Sequence, residues 1–116
     1  QPRLVVIEYN SFYGQNVSKT IKYNSNFFWD IKNNKSYYGA SLKALKKLGK
    51  KKKYSLIGVD NNGVNAFFVR NDLAKKINLN SKKISNIFKD NLREIRNKEA
   101  YMEEREKLLK KKLITI

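Results

Sequence analysis

The sequence predicts an α/β domain with the element order strand, long loop, helix, antiparallel hairpin and long basic helix. Three patterns predict it: the continuous apolar run LVVI at 4–7, the helical spacing of apolar residues between 37 and 50, and two β-rich runs around Asn62-Gly63. The chain has 116 residues, which is enough for one domain with one modest core.

The first predicted strand runs directly into polar residues. Leu4 to Ile7 is an uninterrupted apolar run, and Glu8, Tyr9 and Asn10 follow it. Such a run is typical of a strand buried on both faces of a parallel sheet. A strand of that kind needs helices on both sides of its sheet.

The region from 11 to about 35 shows no sustained period, apart from a short alternating stretch at 17–23. Nine of the fourteen aromatic residues lie between Tyr9 and Tyr38, and disordered segments are poor in such residues. Long loops in compact domains are often functional. Two interpretations stay open: the rings pin the loop to the body of the protein, or some of them line a substrate pocket.

A helix is predicted from about 37 to 50, with Ser36 available as its N-cap. The lysine run Lys50 to Lys53 follows. It is interpreted either as a helix C-terminus, where cations meet unpaired carbonyls, or as a patch that contacts phosphates.

An antiparallel hairpin is predicted next. The runs Tyr54–Asp60 and Val64–Arg70 flank the turn-forming sequence Asn-Asn-Gly.

The last third predicts a long helix. From Ser81 onward, apolar residues recur at steps of three and four, the spacing of a coiled-coil seam, and Glu99 and Glu106 interrupt the stripe. The predicted stripe contains Ile84, Phe88, Leu92, Ile95, Met102, Leu109, Leu113 and Ile116. A helix of about thirty residues would be roughly 45 Å long. Since that is too long for so small a sheet, we expect it to project, to break or to pack on another chain.

The charge of the chain is strongly positive, with 26 Lys and Arg against 10 Asp and Glu and a formal net charge of +16. This balance favours phosphates or acidic membranes as partners. There are 21 Lys but only five Arg, whereas a dedicated nucleic-acid binder leans on Arg for bidentate contacts.

Composition excludes several kinds of chemistry. The chain has no Cys and no His, which excludes disulfides, thiolate or imidazole metal ligands and nucleophiles paired with His. There is no signal-like start and no apolar run near twenty residues, so we expect a cytoplasmic protein without a transmembrane segment. The start at Gln1, already inside a strand pattern, suggests a piece of a longer protein.

The phrases PRLVVIEYNSFYG and YYGASLKALKKLGKKKKYSLIGVDNNGVNAFFVRNDL resemble the C-terminal half of FkbM-like class I methyltransferases that use S-adenosylmethionine. The resemblance covers residues 2–73. It implies the C-terminal part of a Rossmann-like methyltransferase sheet, with 4–8 as the fifth strand and the hairpin as the sixth and seventh. In that fold the seventh strand lies antiparallel between the fifth and the sixth.

The resemblance divides the chain into a partial methyltransferase-like domain at 1–73 and a helical C-terminal extension at 74–116. The family's first four strands, which carry the glycine-rich turn and the acidic residue for the cofactor, have no counterpart here. We therefore expect S-adenosylmethionine in the intact protein, but neither cofactor binding nor catalysis by this chain alone. The implied reaction is methyl transfer, chiefly to an oxygen of a small molecule or saccharide.

Ligands of open α/β sheets lie beyond the carboxyl ends of the strands, where Glu8, Tyr9 and Asn10 fall. Glu8 would orient or deprotonate the acceptor and Asn10 would hydrogen-bond to it, so these two are the candidate catalytic residues. Tyr9 and Phe12 are candidate walls of the substrate site. Alternatively, Glu8 and Asn10 satisfy backbone donors where the strand ends.

Asn65 is the third candidate substrate-binding residue. It is interpreted either as facing the site from the seventh strand or as satisfying the hairpin.

The alternative function is a small basic nucleic-acid-binding module whose rings stack on bases. With the first four strands missing, one edge of the 4–7 strand would be unpaired, which is an association hazard. We expect the C-terminal helix or another copy of the chain to cover this edge.

Overall fold

The computed structural model describes residues 1–30, 32, 35–93 and 95–116. Its strands are β1 (Leu4–Glu8), β2 (Lys19–Ile21), β3 (Tyr54–Val59), β4 (Asn65–Arg70) and β5 (Leu113–Thr115). Its helices are α1 (Leu42–Lys51), α2 (Asn71–Lys76), α3 (Ile84–Ile87) and α4 (Lys98–Leu109), with a 3-10 turn at Ser11–Tyr13. The architecture is α/β, with two small antiparallel sheets and a helix near the C-terminus.

The main sheet has three strands in the order β1-β4-β3, and β4 is antiparallel to both of its neighbours. Leu4 lies opposite Val69, and Tyr54 lies opposite Arg70. The predicted hairpin is confirmed as β3 and β4, with a register shift between Leu56 and Gly58. A second sheet joins β2 to β5.

The prediction of a buried parallel strand at 4–7 is wrong for β1. Within the described part of the chain β1 pairs with β4 alone, in antiparallel fashion, and it forms an edge of the sheet. Leu4 is 53% exposed and Val6 is 51% exposed. The physical reason is that none of the helices formed by the described residues covers the face carrying these two side chains, whereas Val5 packs towards the core. An apolar run by itself does not reveal whether such a cover exists.

The predicted helix is confirmed as α1, but it begins at Leu42 and its N-cap is Ser41. The Ser41 hydroxyl accepts a hydrogen bond from the Ala44 amide at 3.1 Å. The expected cap, Ser36, is instead buried and donates to Glu104 at 3.0 Å. The Lys50–Lys53 run starts in the last turn of α1, as the helix-terminus interpretation predicted.

The core lies between α1 and the main sheet. Its buried members are Tyr9, Leu42, Leu45, Leu56, Ala66 and Phe68. α1 approaches the sheet so closely at Gly49 that a Cβ there would lie 2.8 Å from the Phe68 ring. A Cβ so close would force the buried Phe68 ring to shift, so glycine allows the close approach at this crossing.

The prediction of one continuous long helix in the last third is wrong, and of the three expected outcomes it is the break that occurs, because the segment is divided into α3, α4 and β5. The Asn97 side chain accepts from the Ala100 amide at 3.3 Å and starts α4 as its N-cap. The buried face of α4 carries Tyr101 and Leu108, one position away from the predicted Met102 and Leu109. No helix among the described residues has the length and apolarity needed to cross a bilayer.

α4 packs on the 3-10 turn and forms a second core with it. Phe12, Tyr13, Tyr101 and Leu108 are buried together, and the Phe12 and Tyr101 rings stack with centroids 4.4 Å apart. Since the helix lies there, the expectation that it covers the β1 edge is wrong. Pairing of that edge with another chain stays a prediction.

Candidate functional site

An open cleft of about 410 Å³ lies at the carboxyl end of β1. It is lined by Glu8, Tyr9, Trp29, Tyr38, Val64, Asn91 and Arg93. The lining combines one carboxylate, one guanidinium, one amide and three aromatic rings. The cleft therefore joins the end of the first strand to the aromatic loop and to the last third of the chain.

Glu8 is the last residue of β1 and lies opposite Asn65 of β4. Its side chain is exposed and makes no hydrogen bond or ion pair with the described residues. The carboxylate is thus free to accept a proton or a hydrogen bond from a ligand.

Tyr9, the next residue, is buried, and its hydroxyl donates to the carbonyl oxygen of Lys89 at 2.7 Å. Burial is the main cause that raises the pKa of its phenol above the ordinary value. Tyr9 therefore remains neutral and holds the backbone of the last third against the end of β1.

The aromatic loop supplies one wall of the cleft. The rings of Trp29 and Tyr38 meet edge to face, with centroids 6.2 Å apart, and the Trp29 indole N–H donates to Lys35 O at 3.2 Å. Edge-to-face pairs of this kind fix the orientation of both rings. Phe12 and Tyr13 pin the loop to the core, in agreement with the first interpretation, and Trp29 and Tyr38 line the cleft. That these two rings contact a substrate stays a prediction.

The opposite wall comes from residues 89–93, which are anchored at several points. The Asn91 amide donates to the Ser11 hydroxyl at 2.9 Å, and the Arg105 guanidinium pairs with Asp90 at 2.6 Å. Ser11 in turn shares a short hydrogen bond with the Tyr101 hydroxyl. These contacts hold a segment without regular secondary structure in a defined place.

Gly63 brings the hairpin turn against the same segment. It has a φ of +72°, and a Cβ there would lie 2.6 Å from the carbonyl carbon of Asp90. Only glycine combines this left-handed backbone with so close an approach. Asp60 completes the turn by accepting from the Val64 amide at 2.9 Å.

Arg93 was missed by sequence reasoning, because the pattern assigned it to a long helix. Its backbone N–H donates to the Asn91 side chain at 3.1 Å, whereas its guanidinium has no hydrogen bond or ion pair with the residues that the structure describes. It also lines a second open cleft of about 350 Å³, together with Asn61, Asn62, Asp90, Leu92 and Arg96. The scarcity of Arg in so basic a chain is the signal that could have drawn attention to it.

Asn10 does not line the cleft. It is buried, its Nδ2 donates to Ser36 O at 2.7 Å and to Tyr38 O at 2.9 Å, and its Oδ1 accepts from the Phe12 amide at 2.9 Å. Both ends of the amide are therefore used. This geometry agrees with the interpretation that Asn10 satisfies the backbone where the strand ends.

Phe12 and Asn65 also lie away from the cleft lining. Phe12 is buried in the stack with Tyr101. Asn65 donates from Nδ2 to Asp60 at 3.0 Å, in agreement with its interpretation as part of the hairpin. Of the predicted site residues, the structure brings Glu8 and Tyr9 together in the cleft.

The arrangement suits the binding of a polar molecule that contains a ring. Trp29 and Tyr38 offer apolar surface, Glu8 accepts a hydrogen bond or a proton, and Arg93 offers a positive charge. Among the described residues, no group of three or more acidic side chains forms a candidate metal site. Comparison with protein-family models, curated proteins and solved structures found no match to this chain.

Proposed function

We propose that this chain is the C-terminal, substrate-side portion of an S-adenosylmethionine-dependent methyltransferase of the FkbM-like type. Its cleft would bind the methyl acceptor, a small molecule or saccharide with a reactive hydroxyl. The observation that carries the proposal is the free carboxylate of Glu8 in an aromatic-lined cleft at the carboxyl end of β1.

The order of the main sheet supports the proposal. β4 lies between β1 and β3 and is antiparallel to both, so β1 and β3 run in the same direction. The resemblance implies this same order for the fifth, seventh and sixth strands of the family. α1 connects the two parallel strands, as a crossover helix would.

We expect no cofactor site on this chain. β1 leads into Asn10 and a 3-10 turn, whereas a cofactor cradle requires a glycine-rich turn that opens a helix. The role left to this chain is to position the acceptor. Glu8 would orient the acceptor hydroxyl and accept its proton, and Trp29 would hold the rest of the molecule.

Calorimetry with S-adenosylmethionine tests the proposal, using this chain and a longer product that includes residues encoded upstream of Gln1. We expect the longer product to bind and this chain not to bind. Failure of the longer product to bind the cofactor would overturn the proposal. In the longer product, Glu8→Gln should lower kcat more than it raises KM, because the substituted amide still fills the cleft but accepts no proton.

A second candidate is the nucleic-acid-binding module. The observation that favours it is the exposure of Tyr23 at 82% and Phe28 at 76% on the aromatic loop of a chain with a net charge of +16. Titration of fluorescent single-stranded DNA and RNA at rising salt tests it. Absence of micromolar binding at about 0.1 M salt would exclude this function.

A further inference from the structure

We propose that Arg93 and Arg96 bind a phosphate group, and that the cleft therefore takes a ring compound that carries a phosphate, such as a nucleotide or a sugar phosphate. The inference uses the same cleft as the proposed function, but it does not require methyl transfer.

Two clefts meet at one residue, Arg93. Arg93 lines the aromatic cleft with Trp29 and Tyr38, and it also lines the second cleft with Arg96 and Asn62. A molecule that spans both would place one part against the rings and another between the two arginines.

The guanidinium groups of Arg93 and Arg96 differ from those of Arg70 and Arg105 in their partners. Arg70 pairs with Asp72, and Arg105 pairs with Asp90, each at 2.6 Å. The side chains of Arg93 and Arg96 have no hydrogen bond or ion pair with any residue in the described ranges. Because Arg105 neutralises Asp90, the second cleft keeps an excess of positive charge.

A phosphate is the chemical group that suits these two guanidinium groups. A guanidinium presents a planar set of donors that matches two oxygens of one phosphate. The amides of Asn61 and Asn62 line the same cleft and can donate to further oxygens. Glu8 lies in the aromatic cleft, so it repels an anion there and favours the phosphate on the side of Arg96.

The site is held in place before any ligand binds. The Tyr9 hydroxyl donates to the carbonyl oxygen of Lys89 at 2.7 Å and so restrains that segment, and the close approach of Gly63 fixes Asp90 beside the hairpin turn. The turn that carries Asn61 and Asn62 is thereby set against the segment that leads to Arg93. Such preorganisation reduces the entropy lost on binding.

Calorimetry on this chain tests the inference with four pairs of probes and no cofactor present. In two pairs, the affinity of adenosine 5′-monophosphate is compared with that of adenosine, and the affinity of glucose 1-phosphate with that of glucose. In the other two pairs, each of these phosphorylated compounds is compared with inorganic phosphate. We expect at least one phosphorylated ring compound to bind about tenfold or more tightly than its unphosphorylated counterpart. It should also bind more tightly than inorganic phosphate, because the rings of the aromatic cleft contribute.

The matched variants are Arg93→Ala with Arg96→Ala, against Lys50→Ala with Lys51→Ala. Both pairs remove two exposed positive charges, but the lysines lie in the last turn of α1 and line neither cleft. The arginine pair should abolish the preference for the phosphorylated compound, and the lysine pair should retain it. Circular dichroism checks that each variant is folded.

Equal affinity for phosphorylated and unphosphorylated compounds would overturn the inference, as would equal losses in the two double variants. Binding of inorganic phosphate as tightly as both phosphorylated ring compounds would overturn the part that assigns the ring to the aromatic cleft. These outcomes are separate from the cofactor test, which concerns the longer product and another ligand.

Discussion

Substitution of Gly63 by alanine should destabilise the protein and separate the hairpin turn from residues 89–91. A non-glycine residue in the left-handed region costs about 1–2 kcal/mol. The new Cβ would also lie 2.6 Å from Lys89 O and 2.7 Å from Asp90 O, both backbone atoms that move only with their whole segment. Overpacking of this kind adds about 1–3 kcal/mol, so the expected loss in the free energy of unfolding is about 2–5 kcal/mol.

Gly39→Ala is the matched control for this measurement. Gly39 also has a left-handed backbone, with φ of +56°, but a Cβ there would meet no atom within 4 Å. It should therefore cost about 1–2 kcal/mol, the backbone contribution alone. Urea unfolding followed by circular dichroism gives both values. If Gly63→Ala costs no more than Gly39→Ala, the hairpin turn does not press against the 89–91 segment and the reasoning is refuted.

Three further predictions concern the last third of the chain. Arg105→Gln removes hydrogen bonds from the guanidinium to Phe12 O, Ser11 O and Asp90, and should lower the free energy of unfolding in urea by about 2–4 kcal/mol. Arg105→Lys should recover less than half of this loss, because an ammonium lacks the planar fork of donors. Leu108→Ala, at a buried position, should lower the free energy of unfolding by about 2–5 kcal/mol, and Leu109→Ala, at an exposed position, by less than about 1 kcal/mol. The reverse order would contradict the assignment of Leu108 to the buried face of α4. Burial raises the pKa of Tyr101 to about 12 from 10.0, so its contribution to stability is complete below pH 10 and is lost as the pH rises towards 12. The midpoint of thermal unfolding should fall between pH 10 and pH 12, and it should fall less in Tyr101→Phe than in the native chain.

The parts of the fold that were predictable from sequence are those fixed by neighbouring residues. Asn62-Gly63 sets the hairpin, and the spacing of Leu42 and Leu45 sets α1. The start of α1 was misplaced because two serines, Ser36 and Ser41, both suit an N-cap. Ser41 is the N-cap, and Ser36 instead donates to Glu104, a partner that is remote in the chain.

The parts that could not be predicted depend on distant partners. The stripe from Ile84 to Ile116 has helical spacing, yet a new helix starts at Asn97. In that helix Tyr101 is buried because its ring stacks on Phe12, which is remote in the chain. In the cleft, Glu8 and Tyr9 followed from their position at a strand end. Arg93 could not be placed, because its position depends on contacts between the last third and β1.

The anchors of residues 89–93 also determine when the cleft can form. The Tyr9–Lys89 hydrogen bond joins residues 80 positions apart, and the Arg105–Phe12 hydrogen bond joins residues 93 positions apart. Closing loops of this length is slow compared with forming a hairpin or a helix. The wall formed by residues 89–93 is therefore expected to be placed after the hairpin and α1 have formed. A chain that ends before residue 89 would lack Asn91 and Arg93, which line the cleft.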